Sequence, residues 1–151
     1  MLIRPVTKEE RLQSAQLLTI ESGDLTISAA DDAIHCDYTL QIGAEGTDGP
    51  AISITDCDEG LEAAALHVAS GDIRIRASDD CLNAANSDLS GFDFSMDISG
   101  GTISAYTTDG DGLDSNGSMT ISGGTPPEKP DGGTPPERPD NASKPPEPGN
   151  L

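Results

Sequence analysis

"ASDDCLNAANSDL", residues 77–89, decides the fold, because it is one copy of a pattern that recurs along the chain. Two adjacent acids are followed by a small residue, an aliphatic residue, a polar residue and another small one. The same order occurs in "AADDAIHC" (29–36), "DCDEGLEA" (56–63) and, with glycine as the first member of the pair, "TDGDGLDS" (108–115). Four copies with one internal order indicate a repeat protein.

The copies align in columns, and each column keeps one kind of residue. The second-acid column is Asp32, Glu59, Asp80 and Asp111, the aliphatic column is Ile34, Leu61, Leu82 and Leu113, and the small column is Cys36, Ala63, Ala84 and Ser115. The aliphatic column advances by 27, 21 and then 31 residues, which indicates loops of different length between constant strands. Apolar and polar residues alternate with a period of two, the period of a β-strand.

Three short strands in a repeat of roughly 22 residues predict an all-β, right-handed parallel β-helix of about four or five coils. The strands of the first full copy are "DLTISA", "AIHC" and "YTLQIG", and we expect glycine corners at Gly23, Gly71, Gly100 and Gly123. Equivalent residues would stack about 4.8 Å apart. A β-sandwich is the alternative fold, but its strands do not repeat one residue type at one place.

The ends of the chain set the domain boundaries. We expect the β-helix over residues 1–124, with a degenerate first coil in residues 1–20, because Leu12 precedes Ile34 by the same 22 residues that separate Ile20 from Ile42. A short helix with a capping box from Thr7 to Glu10 is the competing interpretation. Residues 125–151, "TPPEKPDGGTPPERPDNASKPPEPGNL", are proline-rich and predict a disordered linker or tail.

The charge of the chain excludes several partners. It has 27 acidic and 8 basic residues and a net charge of −19, which disfavours nucleic acid and anionic membrane surfaces. No apolar run is long enough to span a bilayer, and "MLIRPVTKEERLQSAQ" lacks the apolar core of a signal peptide. We expect a monomer, in which Cys36, Cys57 and Cys81 are buried thiols without a disulfide.

The negative charges of stacked carboxylates repel one another and must be neutralised. Two unit charges 4.8 Å apart repel by about 1 kcal/mol in water and by about 3.5 kcal/mol at an effective dielectric of 20. Several such pairs approach the whole stability of a domain, about 5–15 kcal/mol. The few basic residues cannot neutralise them, whereas calcium is bound by six to eight hard oxygen ligands. The sequence therefore favours a calcium site, and a solvated acidic edge is the alternative.

The repeats, together with "SGDIRIRASDDCLNAANSDLSG" (70–91) and "ISGGTISAYTTDGDGLDSNGSMTISGG" (98–124), resemble the carbohydrate-binding β-helix domains of clostridial surface proteins, relatives in fold of the pectate lyases. The resemblance covers about residues 9–124. It implies calcium as cofactor and an acidic plant polysaccharide or cellulose as partner. The calcium ligands that it implies are Asp31, Asp32, Asp58, Glu59, Asp79, Asp80, Asp109 and Asp111. A second tier of metal or polysaccharide contacts is His35, Glu62, Asn83, Asp114, Arg74 and Arg76.

The predicted function is non-catalytic, calcium-dependent binding of polygalacturonate or a related cell-wall polysaccharide, outside the cell or at its surface. With two Tyr, two Phe and no Trp, an aromatic sugar platform is disfavoured. One alternative is a pectate-lyase-like β-elimination with Arg74 or Arg76 as the base. The other is a structural surface or adhesin module.

Overall fold

The computed structural model describes residues 12–14 and 16–124, which form an all-β solenoid of about four turns. The strands of the described residues are β1 (Leu12–Ser14), β2 (Leu17–Ile20), β3 (Asp24–Ser28), β4 (Ile34–Ile42), β5 (Ala51–Asp56), β6 (Leu61–Val68), β7 (Asp72–Ala77), β8 (Leu82–Ala84), β9 (Ser95–Ile98), β10 (Thr102–Thr107), β11 (Leu113–Ser115) and β12 (Ser118–Ile121). The predicted parallel β-helix is confirmed. None of the described segments is a helix that could cross a membrane.

Every strand pair is parallel, and the strands form two sheets. Strands β3, β5, β7 and β10 form a four-stranded sheet in the order β10-β7-β5-β3. The second sheet has two runs that share β4 and β6, namely β1-β4-β6-β8-β11 and β2-β4-β6-β9-β12. "AIHC" and "YTLQIG", predicted as separate strands, are therefore one strand with a register shift between Cys36 and Thr39. The corresponding segments are separate strands in the first turn, as β1 and β2, and in the later turns, as β8 and β9 and as β11 and β12, whereas β6 is continuous like β4.

The strand registers pair the residues that share a column in the aligned repeats. Ile34 pairs with Leu61, Leu61 with Leu82, and Leu82 with Leu113. Leu12 pairs with Ile34, so the 22-residue offset of the first copy also describes strand pairing. The Thr7–Glu10 capping box and residues 125–151 lie outside the described residues.

Aliphatic ladders fill the interior. Ile34, Leu61 and Leu82 are completely buried, whereas Leu113 in the last turn is half-buried. Four more inward ladders are Leu25–Ile52–Ile73, Ile27–Ile54–Ile75, Leu40–Leu66–Met96 and Ile42–Val68–Ile98. Burying each such side chain stabilises the fold by about 1.5–3 kcal/mol, which explains the alternation in the inner turns. In the last turn Met119 and Ile121 are exposed.

Two different constraints explain the corner glycines. Gly23 and Gly71 have φ of 106° and 122°, a backbone region that glycine enters without strain. In the next turn the positive φ, 86°, belongs to Gly101 and not to the expected Gly100. Gly100 is restricted by space instead, because a Cβ there would lie 2.2 Å from the carbonyl oxygen of Ala69.

Two loops account for the irregular repeat length. Residues 43–50 lengthen the turn between β4 and β5, and residues 85–94 separate β8 from β9. The second loop folds back over the intervening turn, since Asn86 Nδ2 donates a hydrogen bond to the Asp37 carbonyl oxygen at 2.9 Å. The Phe92 ring lies against Tyr38, with centroids 6.1 Å apart. The loop thereby joins turns that are not sequence neighbours.

The three cysteines are free and buried. The Cys57 thiol contacts the Arg76 carbonyl oxygen at 3.5 Å, and the Cys81 thiol contacts that of Tyr106 at 3.3 Å. Burial raises the pKa of Cys57 to about 12. Such thiols are poor nucleophiles and poor metal ligands at neutral pH.

Candidate functional site

The acidic pairs stack at the turn that precedes β4, β6, β8 and β11. The backbone N–H of Asp58 donates to the Asp31 carbonyl oxygen at 3.1 Å, and that of Asp79 donates to Asp58 at 3.0 Å. The second-acid column is held by similar bonds between turns, which link Ala33 to Glu59, Gly60 to Asp80 and Cys81 to Asp111. We call Asp32, Glu59, Asp80 and Asp111 the acidic ladder. The structure thus stacks the predicted acids as the columns require.

Asp109 lies beside this stack rather than in it. Its N–H donates to the Ser78 carbonyl oxygen at 3.0 Å, so Gly110 takes the place above Asp79. A Cβ on Gly110 would lie 2.5 Å from Asp79 Oδ1 and 2.6 Å from Asp80 Oδ1. The backbone therefore approaches both carboxylates as closely as only glycine permits.

The carboxylates in the later turns show the electrostatic cost of stacking. Burial raises the pKa of Asp80, the Asp111 N–H that donates to Asp80 Oδ1 at 2.7 Å opposes that rise, and the charges of Asp79, Asp114 and Asp111 add to it. In the preceding pair, Asp58 Oδ1 accepts a hydrogen bond of 2.6 Å from Ser78.

A second polar column runs beside the acidic ladder. His35 pairs with Glu62, Glu62 with Asn83, and Asn83 with Asp114. These four belong to the second tier predicted from the sequence, which also includes Arg74 and Arg76, and in the fold they form one column along β4, β6, β8 and β11. Their position three residues after each second acid lets side chains of the two columns meet.

The side chains of the two columns approach each other most closely at Asp32, His35 and Glu62. Within residues 12–14 and 16–124, these are the only three potential ligand side chains whose ligand atoms all lie within 4.8 Å of one another. His35 Nδ1 is 2.8 Å from Glu62 Oε1 and 3.2 Å from Asp32 Oδ2, and Nε2 is 2.9 Å from Asp37 Oδ1. The neighbouring carboxylates, Asp32 first, raise the pKa of His35 to about 10. Without a metal ion, His35 is therefore an imidazolium at neutral pH.

Glu59 is the next acid along the ladder. Burial and the Glu62 carboxylate raise its pKa to about 8, so it is largely protonated at neutral pH. Asn83 Nδ2 donates to Glu59 Oε2 at 3.1 Å, and the buried Asn83 Oδ1 has no hydrogen-bond partner. A proton thus lowers the negative charge of this turn.

The two arginines face outward on the other sheet. In β7 they alternate with the buried Ile73 and Ile75. Arg74 Nη2 lies 3.2 Å from Asp72 Oδ2 in an exposed pair, and the Arg76 guanidinium lies 4.6 Å from the centre of the Tyr106 ring. Both contact neighbours on the surface of the four-stranded sheet, and their role as metal or polysaccharide contacts stays a prediction.

The sequence did not indicate an aromatic cluster, but the structure contains one. The rings of Tyr38, Phe92 and Phe94 follow one another at centroid distances of 6.1 and 5.5 Å, and Tyr38 is 39% exposed. The fold-back of residues 85–94 brings them together. Since Tyr38 lies in an earlier turn than Phe92 and Phe94, the sequence spacing does not reveal the cluster.

A family model of carbohydrate-binding domain-containing proteins matches residues 17–112. The matched range includes β2 to β10, the whole acidic ladder and the Asp32–His35–Glu62 cluster. No curated protein and no solved structure matches the chain.

Proposed function

Because this chain belongs to the family of carbohydrate-binding domain-containing proteins, we propose that it binds acidic plant cell-wall polysaccharide through calcium. Family membership supports a polysaccharide partner. The acidity of that partner, the role of calcium and a location outside the cell or at its surface are parts of the proposal. A relation to the pectate lyases stays a prediction.

The observation that supports calcium is the uncompensated stack of carboxylates. Asp79, Asp80 and Asp111 lie together in the later turns, and burial and mutual charge raise the pKa of Asp80. The described residues contain two arginines and no lysine, and both arginines lie on the other sheet. Closely stacked carboxylates and backbone carbonyls are the oxygen donors that Ca²⁺ prefers, so the residues fit this ion.

The negative charge of the protein also supports a role for calcium as a bridge between the protein and an acidic polysaccharide. A protein with a net charge of −19 repels a polyuronate, and the repulsion weakens only within the Debye length of about 8–10 Å. A calcium ion held by part of its ligand shell can accept the remaining oxygens from the uronate. Protein and ligand then share one cation, which turns two like-charged surfaces into partners.

The Tyr38–Phe92–Phe94 cluster supports a second, apolar contact with sugar rings. Aromatic faces bury the C–H surface of a pyranose, and Tyr38 can also hydrogen-bond a hydroxyl group. Its exposure of 39% leaves surface for such a contact.

Sedimentation of polygalacturonate with the protein tests the proposal. The protein is first stripped with chelator, and binding is then measured against increasing Ca²⁺, with Mg²⁺ as the comparison ion and cellulose as the uncharged polysaccharide. Asp80→Asn removes a charge from the acidic ladder, and Asp48→Asn is the matched control at an exposed position of the loop 43–50.

We expect calcium to induce polygalacturonate binding in the wild type and in Asp48→Asn, and to do so weakly in Asp80→Asn. Polygalacturonate binding that is equal in chelator and in calcium would exclude the calcium bridge. If the protein binds cellulose but not polygalacturonate under all conditions, it is a carbohydrate-binding protein, and the proposed preference for acidic polymers is wrong.

A further inference from the structure

The strand register creates a mixed nitrogen and oxygen site at one end of the acidic ladder. His35 and Glu62 are directly paired on adjacent strands, and Asp32 lies on the turn that leads into β4. Their side chains are only 15%, 17% and 13% exposed. The backbone thus fixes three potential ligands from two turns in one sheltered place.

The contacts at His35 Nδ1 do not have hydrogen-bond geometry. The atom is fully buried, and although Glu62 Oε1 and Asp32 Oδ2 lie 2.8 and 3.2 Å away, neither forms a hydrogen bond with it. A proton on Nδ1 needs an acceptor nearly in line with the N–H bond. A metal ion bound to Nδ1 would lie along the axis of the Nδ1 lone pair. Its other ligands would lie away from that axis, because the ligand–metal–ligand angles in a tetrahedral site are about 109°.

The other ring nitrogen has the partner that metal-bound histidines need. Nε2 lies 2.9 Å from Asp37 Oδ1, a distance suited to donation of its N–H. When a metal ion displaces the Nδ1 proton, that hydrogen bond keeps the remaining proton on Nε2 and leaves the Nδ1 lone pair to the metal, as in carboxylate–histidine–zinc arrangements. Asp37 is held in turn by Asn86, whose side chain donates to the Asp37 carbonyl oxygen at 2.9 Å. The supporting interactions are therefore in place on the side away from the two carboxylates.

The distances suit a small ion. With metal–ligand bonds of about 2.0–2.1 Å, neighbouring ligand atoms of a tetrahedral Zn²⁺ lie about 3.3 Å apart. The two distances from Nδ1, 3.2 and 2.8 Å, require shifts of a few tenths of an ångström. The two carboxylate oxygens are within 4.8 Å of each other, which side-chain rotation can reduce.

We infer that Asp32 Oδ2, His35 Nδ1 and Glu62 Oε1 bind a divalent transition-metal ion of the Zn²⁺ class. An imidazole nitrogen with two carboxylate oxygens suits Zn²⁺ and its neighbours, whereas Ca²⁺ takes oxygen ligands almost exclusively. The inference goes beyond polysaccharide binding and is independent of it. Three protein ligands leave a coordination position for water or for an oxygen of a bound molecule.

Calorimetric titration of the chelator-treated protein with ZnCl₂, in a background of excess CaCl₂, tests the inference. His35→Asn removes the nitrogen ligand. His67→Asn is the matched control, because His67 lies on the same sheet, is 37% exposed, and has its nearest carboxylate, Asp97, at 3.9 Å. Asp37→Asn tests the supporting hydrogen bond. Circular dichroism of each variant reports whether the β-fold is kept.

We expect one equivalent of Zn²⁺ to bind to the wild type and to His67→Asn, and none to bind to His35→Asn. Asp37→Asn should weaken binding by about 10–100-fold, the usual effect of losing such a partner. Zn²⁺ binding that persists in His35→Asn, that is absent from the wild type, or that calcium abolishes would overturn the inference.

A measurement that does not need His35→Asn decides the case if that variant does not fold. The chain has two histidines, so the NMR signals of their rings can be assigned by elimination with His67→Asn. Zn²⁺ should shift the His35 ring signals and leave those of His67 unchanged. A shift confined to His67, or no shift at all, refutes the site.

Discussion

Replacing Asp80 by Asn tests whether repulsion between the carboxylates of the acidic ladder lowers the stability of the protein when no calcium is bound. Asp80 stacks between Glu59 and Asp111, and its Oδ1 accepts the Asp111 N–H at 2.7 Å. Asparagine keeps an oxygen for that hydrogen bond and removes the charge. In chelator the variant should therefore be more stable than the wild type.

The neighbours of Asp80 set the size of the effect. Glu59, whose pKa burial raises to about 8, is largely neutral at pH 7. The charges that act on Asp80 are therefore those of Asp79, Asp114 and Asp111, of which Asp79 contributes most. One pair of charges about 4.8 Å apart repels by roughly 1 kcal/mol in water, the appropriate limit for a half-exposed side chain. For a domain of this size, 1 kcal/mol raises the melting temperature by about 4 °C.

Thermal unfolding in chelator and in increasing calcium measures both halves of the prediction. The wild type should gain stability with the logarithm of the calcium concentration, and Asp80→Asn should gain less. Sodium chloride should not replace calcium, since screening acts weakly on carboxylates that share one ligand shell. Asp48→Asn controls for the loss of one charge elsewhere. A variant that melts with the wild type in chelator and responds fully to calcium would refute the reasoning.

Three further predictions concern the core, the thiols and pH. Leu82→Ala should cost about 2–5 kcal/mol in urea unfolding, because Leu82 is fully buried, whereas Leu17→Ala, at a 59% exposed position, should stay within about 0.5 kcal/mol. All three cysteines should resist a thiol reagent in the folded protein and react in denaturant. In chelator, the stabilisation from His35 should be complete below pH 6.5 and disappear as pH rises through about 10, because its pKa is raised in the folded state. Urea unfolding against pH should show this loss, and His35→Asn should lack it while keeping the loss due to Glu59, which ends near pH 8.

The strand registers could be predicted because a solenoid places each residue beside its equivalent in the next repeat. The aligned columns therefore give Ile34, Leu61 and Leu82 as direct neighbours, and the structure pairs them so. The continuity of β4 could not be predicted, since the sequence of "AIHCDYTLQI" contains no residue that decides between a bend and a break. Nor could the contact of Asn86 with Asp37, which depends on the path of a loop.

The Asp32–His35–Glu62 cluster escaped prediction as a unit for a related reason. Aligned columns show what lies above and below each residue, and Asp32 and His35 belong to different columns. Their side chains meet because the turn before β4 bends the chain between them, and the sequence pattern does not encode that angle. The column pattern therefore ranks His35 below the acids, although its Nδ1 lies 2.8 Å from Glu62 Oε1 and 3.2 Å from Asp32 Oδ2.

The way in which negative charge is compensated changes along the solenoid. In the first of the acidic turns the imidazolium of His35, or a metal ion in its place, lies against Asp32 and Glu62. In the next turn a proton neutralises much of Glu59. From Asp80 onward the described residues, up to 124, include no lysine, arginine or histidine. The proposed calcium is therefore needed most at Asp79, Asp80 and Asp111, which is why a single substitution at Asp80 distinguishes a calcium site from a solvated acidic edge.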